Sequence, residues 1–202
     1  LAAGATLVVK PAVEAPLALT ATLRALAHHL PRGVVNVVPG RGSVVGQRLA
    51  EHPGIRALSF TGGTDTGRRI AAVASANVKK VALELGGNDP AIVLSSAEIT
   101  DELITELVAG CYAMTGQICF NVKRIYVHRS RYEEFTERFA AAVSRIVYGN
   151  AFDPAAHIGP LATRDGYDNA QRLLASARAA GADVRELGVR ASSAEAAGLY
   201  VA

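Results

Sequence analysis

The sequence predicts an α/β protein in which a parallel, wound sheet with flanking helices is followed by part of a second α/β domain. Two observations predict the first sheet. Short apolar runs alternate with helical stretches through the first half of the chain, an order typical of parallel strands joined by helical crossovers. The run "VVNVV" at 34–38 is also almost continuously β-branched, as expected of a strand covered on both faces.

The first half is expected to contain four strands and three helices. The strands are predicted at 6–9, 34–38, 55–60 and 78–85, and the helices at 15–29, 43–51 and 64–76. Thr64 has the side chain to cap the third of these helices. The carboxyl ends of the strands would then form the edge at which open α/β sheets bind ligands.

The second half has a different order of elements. Strands are predicted at 90–95, 124–128 and 183–187, and helices at 101–115, 131–147 and 163–180, with a proline-broken loop at 150–161. Thr100 is predicted to cap the first helix, with Asp101 and Glu102 in its first turn, and Ser130 to cap the second. The segment "LGGNDP" at 85–90 is the best candidate boundary, which gives domains at 1–85 and 86–202.

Composition and charge argue against several classes of function. The 21 Lys and Arg against 18 Asp and Glu give a net charge of +3 without a basic run, and aromatic residues are 5% with no Trp, so nucleic-acid binding is not expected. No apolar run has the length of a membrane span. The two cysteines form no CxxC pair and the five histidines no metal-ligand spacing, so we expect no metal and a reducing, cytoplasmic location.

The two ends of the chain look interrupted. Leu1 is not a Met and leads directly into the apolar run "ATLVV", and the sequence stops in the strand-like "GLYVA". We therefore expect an internal piece of a longer protein.

Two glycine-rich turns are candidates for a phosphate site. "PGRGSVVG" at 39–46 follows a strand, but its glycine spacing is one residue too long for the dinucleotide fingerprint, which favours an ordinary strand-to-helix turn. "SFTGGTDTG" at 59–67 places Gly62 and Gly63 before a helix start, where backbone N–H groups attract phosphate. From the residues alone, phosphate binding and a plain turn explain this second segment equally well.

Two charged side chains lie at strand ends where chemistry could occur. Lys10 ends the first strand and could reach a ribose or a phosphate, although a solvated lysine is the commoner fate. Glu84 lies in an apolar strand on the face opposite Leu83 and Leu85. A carboxylate there suits a general base, and an edge residue facing water is the alternative.

Of the two thiols, Cys119 is the candidate for reactivity. It lies in "MTGQICFNV" at 114–122, in a loop after a helix, where backbone N–H groups favour an accessible thiolate. Cys111 lies within the helix among small apolar residues and is assigned to core packing. No His is close to Cys119 in sequence, and a Cys–His pair formed through the fold stays open.

Nine segments, taken together, resemble the aldehyde dehydrogenase superfamily and occur in its order. They are "VVKP" (8–11), "VVNVVPGRG" (34–42), "FTGGTDTG" (60–67), "LELGGNDP" (83–90), "GQIC" (116–119), "RIYV" (124–127), "GN" (149–150), "IGPL" (158–161) and "GLYVA" (198–202). The resemblance covers nearly the whole chain. It implies a Rossmann-like NAD(P)-binding domain over 1–85 and part of a catalytic domain over 86–202.

The resemblance implies a role for each matching residue. Cys119 in "GQIC" matches the catalytic thiol, and Glu84 in "ELGG" matches the general base. The matches to cofactor-binding positions are Lys10 for the ribose, Gly40 for the adenine, Gly62, Gly63, Thr64 and Gly67 for the pyrophosphate, and Leu85 for the nicotinamide side. The implied reaction is the NAD- or NADP-dependent oxidation of an aldehyde to a carboxylate through a thiohemiacetal and a thioester, in a homodimer or homotetramer.

The sequence departs from the family pattern in three places. Val13 replaces a glutamate that binds the ribose hydroxyls, with Glu14 one place later, so we expect NADP to be tolerated. Gly63 replaces the usual Ser and removes one phosphate contact. The family's upstream Asn that donates to the oxyanion and its downstream ribose-binding Glu are absent, so we expect the isolated chain to be inactive and poorly folded.

Two other functions and an esterase side activity stay open. An acylating relative would pass the acyl group from Cys119 to coenzyme A or phosphate, although such members often lack the base that Glu84 matches. A catalytically dead homologue is disfavoured by the presence of both residues. The apolar residues Tyr112, Met114, Ile118 and Phe120 flank the thiol and could form an aldehyde tunnel or simply core packing.

Overall fold

The structure is a computed structural model that describes residues 1–195 and 198–201. Its contacts divide the chain into two units, Leu1–Gly86 and Gly87–Ala202. The assignment of a cofactor-binding role to the first unit and a catalytic role to the second stays a prediction. In the part of the chain that the structure describes, no helix is both long enough and apolar enough to cross a membrane.

The first unit consists of parallel strands alternating with helices. In chain order the elements are β1 (Leu7–Val9), α1 (Pro16–Ala27), β2 (Val35–Val37), α2 (Gln47–Glu51), β3 (Ala57–Thr61), α3 (Thr64–Ser75) and β4 (Lys80–Glu84). β1 pairs with β2 and β3 pairs with β4, each in parallel, and a π-helical turn at Gly42–Gly46 leads into α2. The predicted α/β class with parallel strands is confirmed.

The end of α3 contains a β-branched residue in a left-handed conformation. Val78 has φ 51° and is 91% exposed. Its N–H donates to the Ser75 carbonyl at 3.0 Å, and the Lys79 N–H donates to the Ala74 carbonyl at 3.1 Å. These two bonds form a Schellman motif, whose left-handed position is usually a glycine because a Cβ is strained there.

The second unit continues the α/β pattern with two further parallel pairs. Its elements are β5 (Asp89–Val93), α4 (Asp101–Tyr112), β6 (Val122–Val127), α5 (Tyr132–Val143), β7 (Val147–Tyr148), α6 (Arg164–Ala179) and β8 (Val189–Arg190). β5 pairs with β6 and β7 pairs with β8. A 3₁₀ turn at Ala113–Gly116 joins α4 to the loop that precedes β6.

The hydrophobic core of the second unit lies between the β5–β6 pair and helices α4 and α5. Val93, Ile99, Ile104 and Phe135 are all at least 95% buried there. The rings of Phe135 and Phe139 stack at 5.5 Å between centroids. This core fixes the helix and the strand on either side of the loop that carries Cys119.

The predicted helix caps have mixed outcomes. Thr100 caps α4 as predicted, because its Oγ1 accepts the Leu103 N–H at 3.1 Å. Thr64 does not cap α3: the extended Gly63 is the N-cap residue, and Thr64 is already helical. Ser130 does not cap the next helix either, because a 3₁₀ turn at Arg129–Arg131 precedes α5 and the His128 ring accepts the Ser130 N–H.

Two predicted extents in the second half are wrong. The helix predicted at 131–147 ends at Val143, since Val147 pairs with β8 instead. The strand predicted at 183–187 is irregular, and the strand forms at Val189–Arg190. Pairing decides this register, because the Val189 N–H donates to the Ile146 carbonyl at 2.7 Å and the Ala191 N–H to the Tyr148 carbonyl at 2.9 Å.

Candidate active site

The loop that carries Cys119 begins in a strained turn. Met114, Thr115 and Gly116 have φ values of 51°, 60° and 67°, so three successive residues are left-handed. For the two with side chains this costs about 1–2 kcal/mol each. Backbone strain of this kind persists only where neighbouring contacts enforce it.

Asn121 makes the contacts that hold this turn from inside. It is a buried polar side chain, 2% exposed. Its Nδ2 donates to the Gly110 carbonyl at 2.9 Å and to the Ala113 carbonyl at 3.3 Å. Its Oδ1 accepts the Ile118 N–H at 2.6 Å. The end of α4 is thereby tied to the residue immediately before Cys119.

Lys123 contacts the same loop from the surface. The pairing of β5 with β6 shifts between Asp89 and Pro90, so that Val122 and Arg124 have partners and Lys123 is the extra residue. Such a bulge re-aims a side chain. The Lys123 Nζ donates to the Ile118 carbonyl at 2.8 Å and to the Asn121 carbonyl at 3.2 Å. Both backbone polar groups of Ile118 are therefore bonded.

Gly87 lies directly against the backbone of the thiol residue. A Cβ at Gly87 would come within 2.4 Å of the Cys119 carbonyl oxygen. Next to it, the Asn88 carbonyl accepts two bonds from the Arg124 guanidinium, at 3.0 Å from Nε and 2.6 Å from Nη2. The segment that follows "ELGG" thus packs on the Cys119 loop so closely that only glycine fits at 87.

Cys111 has the environment of a packed thiol. It is half-buried, and burial raises its pKa above the ordinary value of 9.0, while the charge of Lys123 partly opposes the rise. Burial also raises the pKa of the neighbouring Tyr112. A thiol that holds its proton is a poor nucleophile, which supports the assignment of Cys111 to packing.

The apolar residues that flank the thiol in sequence differ in their exposure. Cys111 and Tyr112 line a cavity of about 370 Å³ together with Gly116 and Gln117. Met114 and Phe120 are instead 77% and 69% exposed. Core packing therefore does not account for Met114 and Phe120, and an aldehyde tunnel stays a prediction.

In the first unit, the structure brings Lys10 and Gly40 together. The Lys10 Nζ donates to the Gly40 carbonyl at 3.3 Å and to the Pro11 carbonyl at 2.6 Å. Gly40 has φ 149°, and a Cβ there would come within 2.5 Å of Val45. The π-helical turn thus packs against the Gly40 backbone, beside the lysine at the end of β1.

The second glycine-rich turn meets the end of β4. The Gly62 N–H donates to the Glu84 carbonyl at 3.0 Å. A Cβ at Gly67 would lie 2.6 Å from Leu85 Cδ2, so this helical glycine allows α3 to pack on the strand end. The candidates of this turn and those of β4 therefore lie side by side.

The start of α3 is open. Gly63 has an extended backbone, no side chain caps the helix at this residue, and a Cβ at Gly63 would meet no atom within 4 Å. Thr64 begins the helix, and Asp65 is in its first turn. The unbonded N–H groups of such a helix start attract anions.

Glu84 has the placement expected from its strand pattern. It pairs with Thr61 at the end of β4. Its side chain is exposed, whereas Leu83 and Leu85 are partly buried on the opposite face. Glu84 belongs to the first unit and Cys119 to the second, and the role of each stays a prediction.

Comparison with known proteins identifies the family. The sequence profile of the aldehyde dehydrogenase family matches residues 1–202. The chain belongs to the aldehyde dehydrogenase family.

Named aldehyde dehydrogenases are similar over most of this chain. Phenylacetaldehyde dehydrogenase of Pseudomonas fluorescens is 38% identical over 185 residues, which is 91% of this chain and 37% of that protein. Succinate-semialdehyde dehydrogenase [NADP(+)] of Escherichia coli K12 is also 38% identical over 185 residues, 91% of this chain and 38% of that protein. The chain thus spans under two fifths of the length of these two relatives.

A solved aldehyde dehydrogenase has the same fold. Betaine aldehyde dehydrogenase of Staphylococcus aureus, in complex with NAD+, superposes with a TM-score of 0.84 at 32% identity. The match covers 88% of this chain and 35% of that one.

Four residues that build the thiol loop of this family member were not predicted from the sequence: Gly87, Asn121, Lys123 and Arg124. The signal for Gly87 was present, since a second glycine in "LGG" has no local turn to explain it. Asn121 could have been noticed as a single amide between apolar residues in "CFNV". Lys123 and Arg124 looked like ordinary strand-end cations, and only the bulge in β6 distinguishes them.

Proposed function

We propose that the protein carrying this chain oxidises an aldehyde to a carboxylate with NAD+ or NADP+, through Cys119 as nucleophile and Glu84 as general base. The observation that carries the proposal is the fit between Gly87 and the Cys119 carbonyl. It joins the two motifs, "ELGG" and "GQIC", that bear the general base and the thiol of this family. The activities named for the relatives above support aldehyde chemistry.

The residues of the first unit fit a nicotinamide dinucleotide. The open start of α3 at Gly63 offers unbonded N–H groups to a pyrophosphate. Lys10 and Gly40 lie together at the end of β1, where a ribose and an adenine would be held. When bound, the cofactor would accept the hydride that the aldehyde carbon loses.

Cys119 would perform the covalent steps. Its thiolate adds to the aldehyde carbon, and the carbonyl oxygen becomes the oxyanion of a thiohemiacetal. Loss of hydride from that carbon re-forms the carbonyl and leaves a thioester. Cysteine suits both steps because it is a strong nucleophile and its thiolate is a good leaving group.

Glu84 would activate the water that releases the product. Its carboxylate takes a proton from water, the hydroxide attacks the thioester carbon, and the Cys119 thiolate leaves. Only Leu85 and Gly86 separate Glu84 from Gly87, so chain geometry keeps its Cα within about 11 Å of the glycine beside the thiol loop.

Full-length protein is needed to test this function. The chain spans only 37% of its relative, and its first unit exposes large apolar side chains such as Leu17 at 82% and Val44 at 64%. We propose that the isolated chain is poorly folded because these apolar side chains are uncovered. We also propose that it is inactive, because the loss of one oxyanion donor alone costs about 10²–10³ in rate. A soluble isolated chain that unfolds cooperatively and oxidises aldehydes would contradict this.

The decisive assay is aldehyde oxidation by the full-length protein over a panel of aldehydes, with NAD+ and with NADP+, followed through reduced nicotinamide. We expect Cys119→Ala to abolish turnover and the matched Cys111→Ala to retain it. Glu84→Gln should retain the first hydride transfer as a burst and lose turnover, because hydrolysis is blocked. Turnover that depends on added coenzyme A, or full activity of Cys119→Ala, would overturn the proposal.

A further inference from the structure

We infer that Asn121 is a positioning residue, which holds the Cys119 thiol in its reactive placement through the backbone on either side of the strained turn. The inference rests on the proposed function in one respect, since it takes Cys119 as the nucleophile. Asn121 itself touches neither a substrate nor a cofactor. Its evidence is its burial and the three hydrogen bonds that it makes.

The three bonds connect the two backbone segments on either side of the strained turn. On one side are the Gly110 and Ala113 carbonyls, at the end of α4, where helical carbonyls lose their intrahelical partners. On the other side is the Ile118 N–H, one residue before Cys119. A single buried side chain therefore connects the fixed helix end to the neighbour of the thiol.

The connected segments enclose the left-handed turn. Ala113 precedes Met114, and Ile118 follows the turn after Gln117, so the Asn121 side chain bridges the base of the loop. Met114 and Thr115 favour other backbone conformations. Within the turn, the Gln117 N–H donates to the Met114 carbonyl at 3.2 Å. Without the bridge from Asn121, this bond alone would oppose relaxation of the strained residues, and we expect Cys119 to shift.

The reaction rate depends on how closely the Cys119 thiol is held to its attack position. A nucleophile displaced by about 1 Å from its attack position can lose about 10² in rate. The surface contact from Lys123 to the Ile118 carbonyl restrains the same residue, but a flexible exposed lysine restrains the loop less than a buried amide does. Asn121 is therefore expected to dominate the placement of the thiol.

The test uses thiol labelling, which needs no aldehyde or cofactor. Full-length protein is treated with iodoacetamide for timed intervals at several pH values, then denatured and digested with trypsin. The peptide 81–123 contains both Cys111 and Cys119, and tandem mass spectrometry locates the label on each. Cys111 is half-buried and serves as an internal reference for unfolding, because opening of the fold would raise its labelling rate above the folded value.

The informative variant is Asn121→Leu, which keeps the number and branching of the side-chain heavy atoms and removes all three hydrogen bonds. We expect its Cys119 labelling rate to differ from wild type by at least about fivefold across the pH profile, with the Cys111 rate within about twofold. We also expect kcat for the aldehyde to fall at least about tenfold with KM within about threefold. Asn169→Leu, which removes an exposed amide contact to Arg172, is the matched control and should leave both readouts unchanged.

The outcomes separate this inference from the proposed function. A folded Asn121→Leu protein with wild-type Cys119 labelling and kcat would overturn the inference, whatever Cys119→Ala does. Aldehyde oxidation by Cys119→Ala would overturn the proposed function, whatever the labelling shows. If Asn121→Leu exposes Cys111 by unfolding, Asn121→Asp decides instead: it keeps the bond to the Ile118 N–H and loses both donors, and wild-type labelling in it would overturn the inference.

Discussion

Gly87 and Cys119 touch through their backbones: a Cβ at Gly87 would come within 2.4 Å of the Cys119 carbonyl oxygen. The contact explains a glycine that no turn requires, since Gly87 does not have a left-handed backbone. The contact leaves no room for a side chain between the end of "ELGG" and the thiol loop.

Gly87→Ala should therefore damage both stability and thiol chemistry. The added methyl group meets a backbone atom, which cannot rotate away, so we expect a loss of about 1–3 kcal/mol in unfolding free energy. We also expect aldehyde turnover to fall at least about tenfold. Gly86→Ala is the matched control for stability, because a Cβ there meets no atom within 4 Å. Equal thermal stabilities of the two variants would show that the contact is not a constraint.

Gly63→Ser should strengthen cofactor binding. A serine side chain has room at position 63, and the extended backbone there accepts one. Its hydroxyl, at the N-cap of α3, could donate to a pyrophosphate oxygen. One such bond contributes about 0.5–1.5 kcal/mol, so Kd for the dinucleotide should fall about 2- to 10-fold by calorimetry. Gly62→Ser is the control, where a Cβ would come within 2.6 Å of the Phe60 ring. Weaker binding by Gly63→Ser would argue against a pyrophosphate at this turn.

Val13 is expected to set the tolerance for NADP+. Its side chain is 51% exposed, so a glutamate fits without repacking, and its charge would repel a 2′-phosphate. We expect Val13→Glu to lower kcat/KM for NADP+ at least about tenfold and to leave kcat/KM for NAD+ unchanged. The uncharged Val13→Gln should leave both values unchanged. A wild-type preference for NAD+ above about 100-fold, some 2.7 kcal/mol, would rule out the role of Val13.

The raised pKa of Cys111 should appear in the pH dependence of stability. The folded thiol keeps its proton at pH values where the unfolded thiol, near its ordinary pKa of 9.0, loses it. The unfolded state then binds fewer protons, so stability is full below pH about 8 and falls as pH rises through the unfolded and folded pKa values. Tyr112, whose pKa burial also raises, continues this fall at higher pH.

Denaturant titrations between about pH 8 and 10 would measure this slope. Cys111→Ala should flatten the slope, whereas Thr105→Ala on the same helix should retain it. A slope unchanged by the loss of Cys111 would place its thiol in a solvated site.

Val78 marks a position where the protein can be stabilised. Glycine removes the strain of a β-branched residue with φ 51° but loses more backbone entropy on folding. The balance predicts that Val78→Gly raises the unfolding free energy by about 0.5–1 kcal/mol. Asn77→Gly, one residue earlier with no positive φ, should be neutral or destabilising. A lower Tm for Val78→Gly would mean that the backbone entropy lost by glycine on folding outweighs the relief of strain.

The sequence by itself determined the elements whose signal is local. Apolar periodicity located β1 to β6 and the cores of the helices, and Thr100 with its acidic first turn defined the start of α4. The alternation in β4 put Glu84 on the face opposite Leu83 and Leu85. Nine short motifs in order were sufficient to identify the family, because each motif is a contiguous segment that can be read without knowing the fold.

Only the tertiary structure decided the features that depend on distant partners. The last strand forms at Val189 because the Ile146 carbonyl bonds its N–H there, and nothing in "DVREL" reports that partner. Asn121 and Gly87 matter through atoms in other segments of the chain, at Gly110 and Cys119. Neither residue stands out in the sequence, because the role of each depends on a carbonyl group that only folding brings close to it.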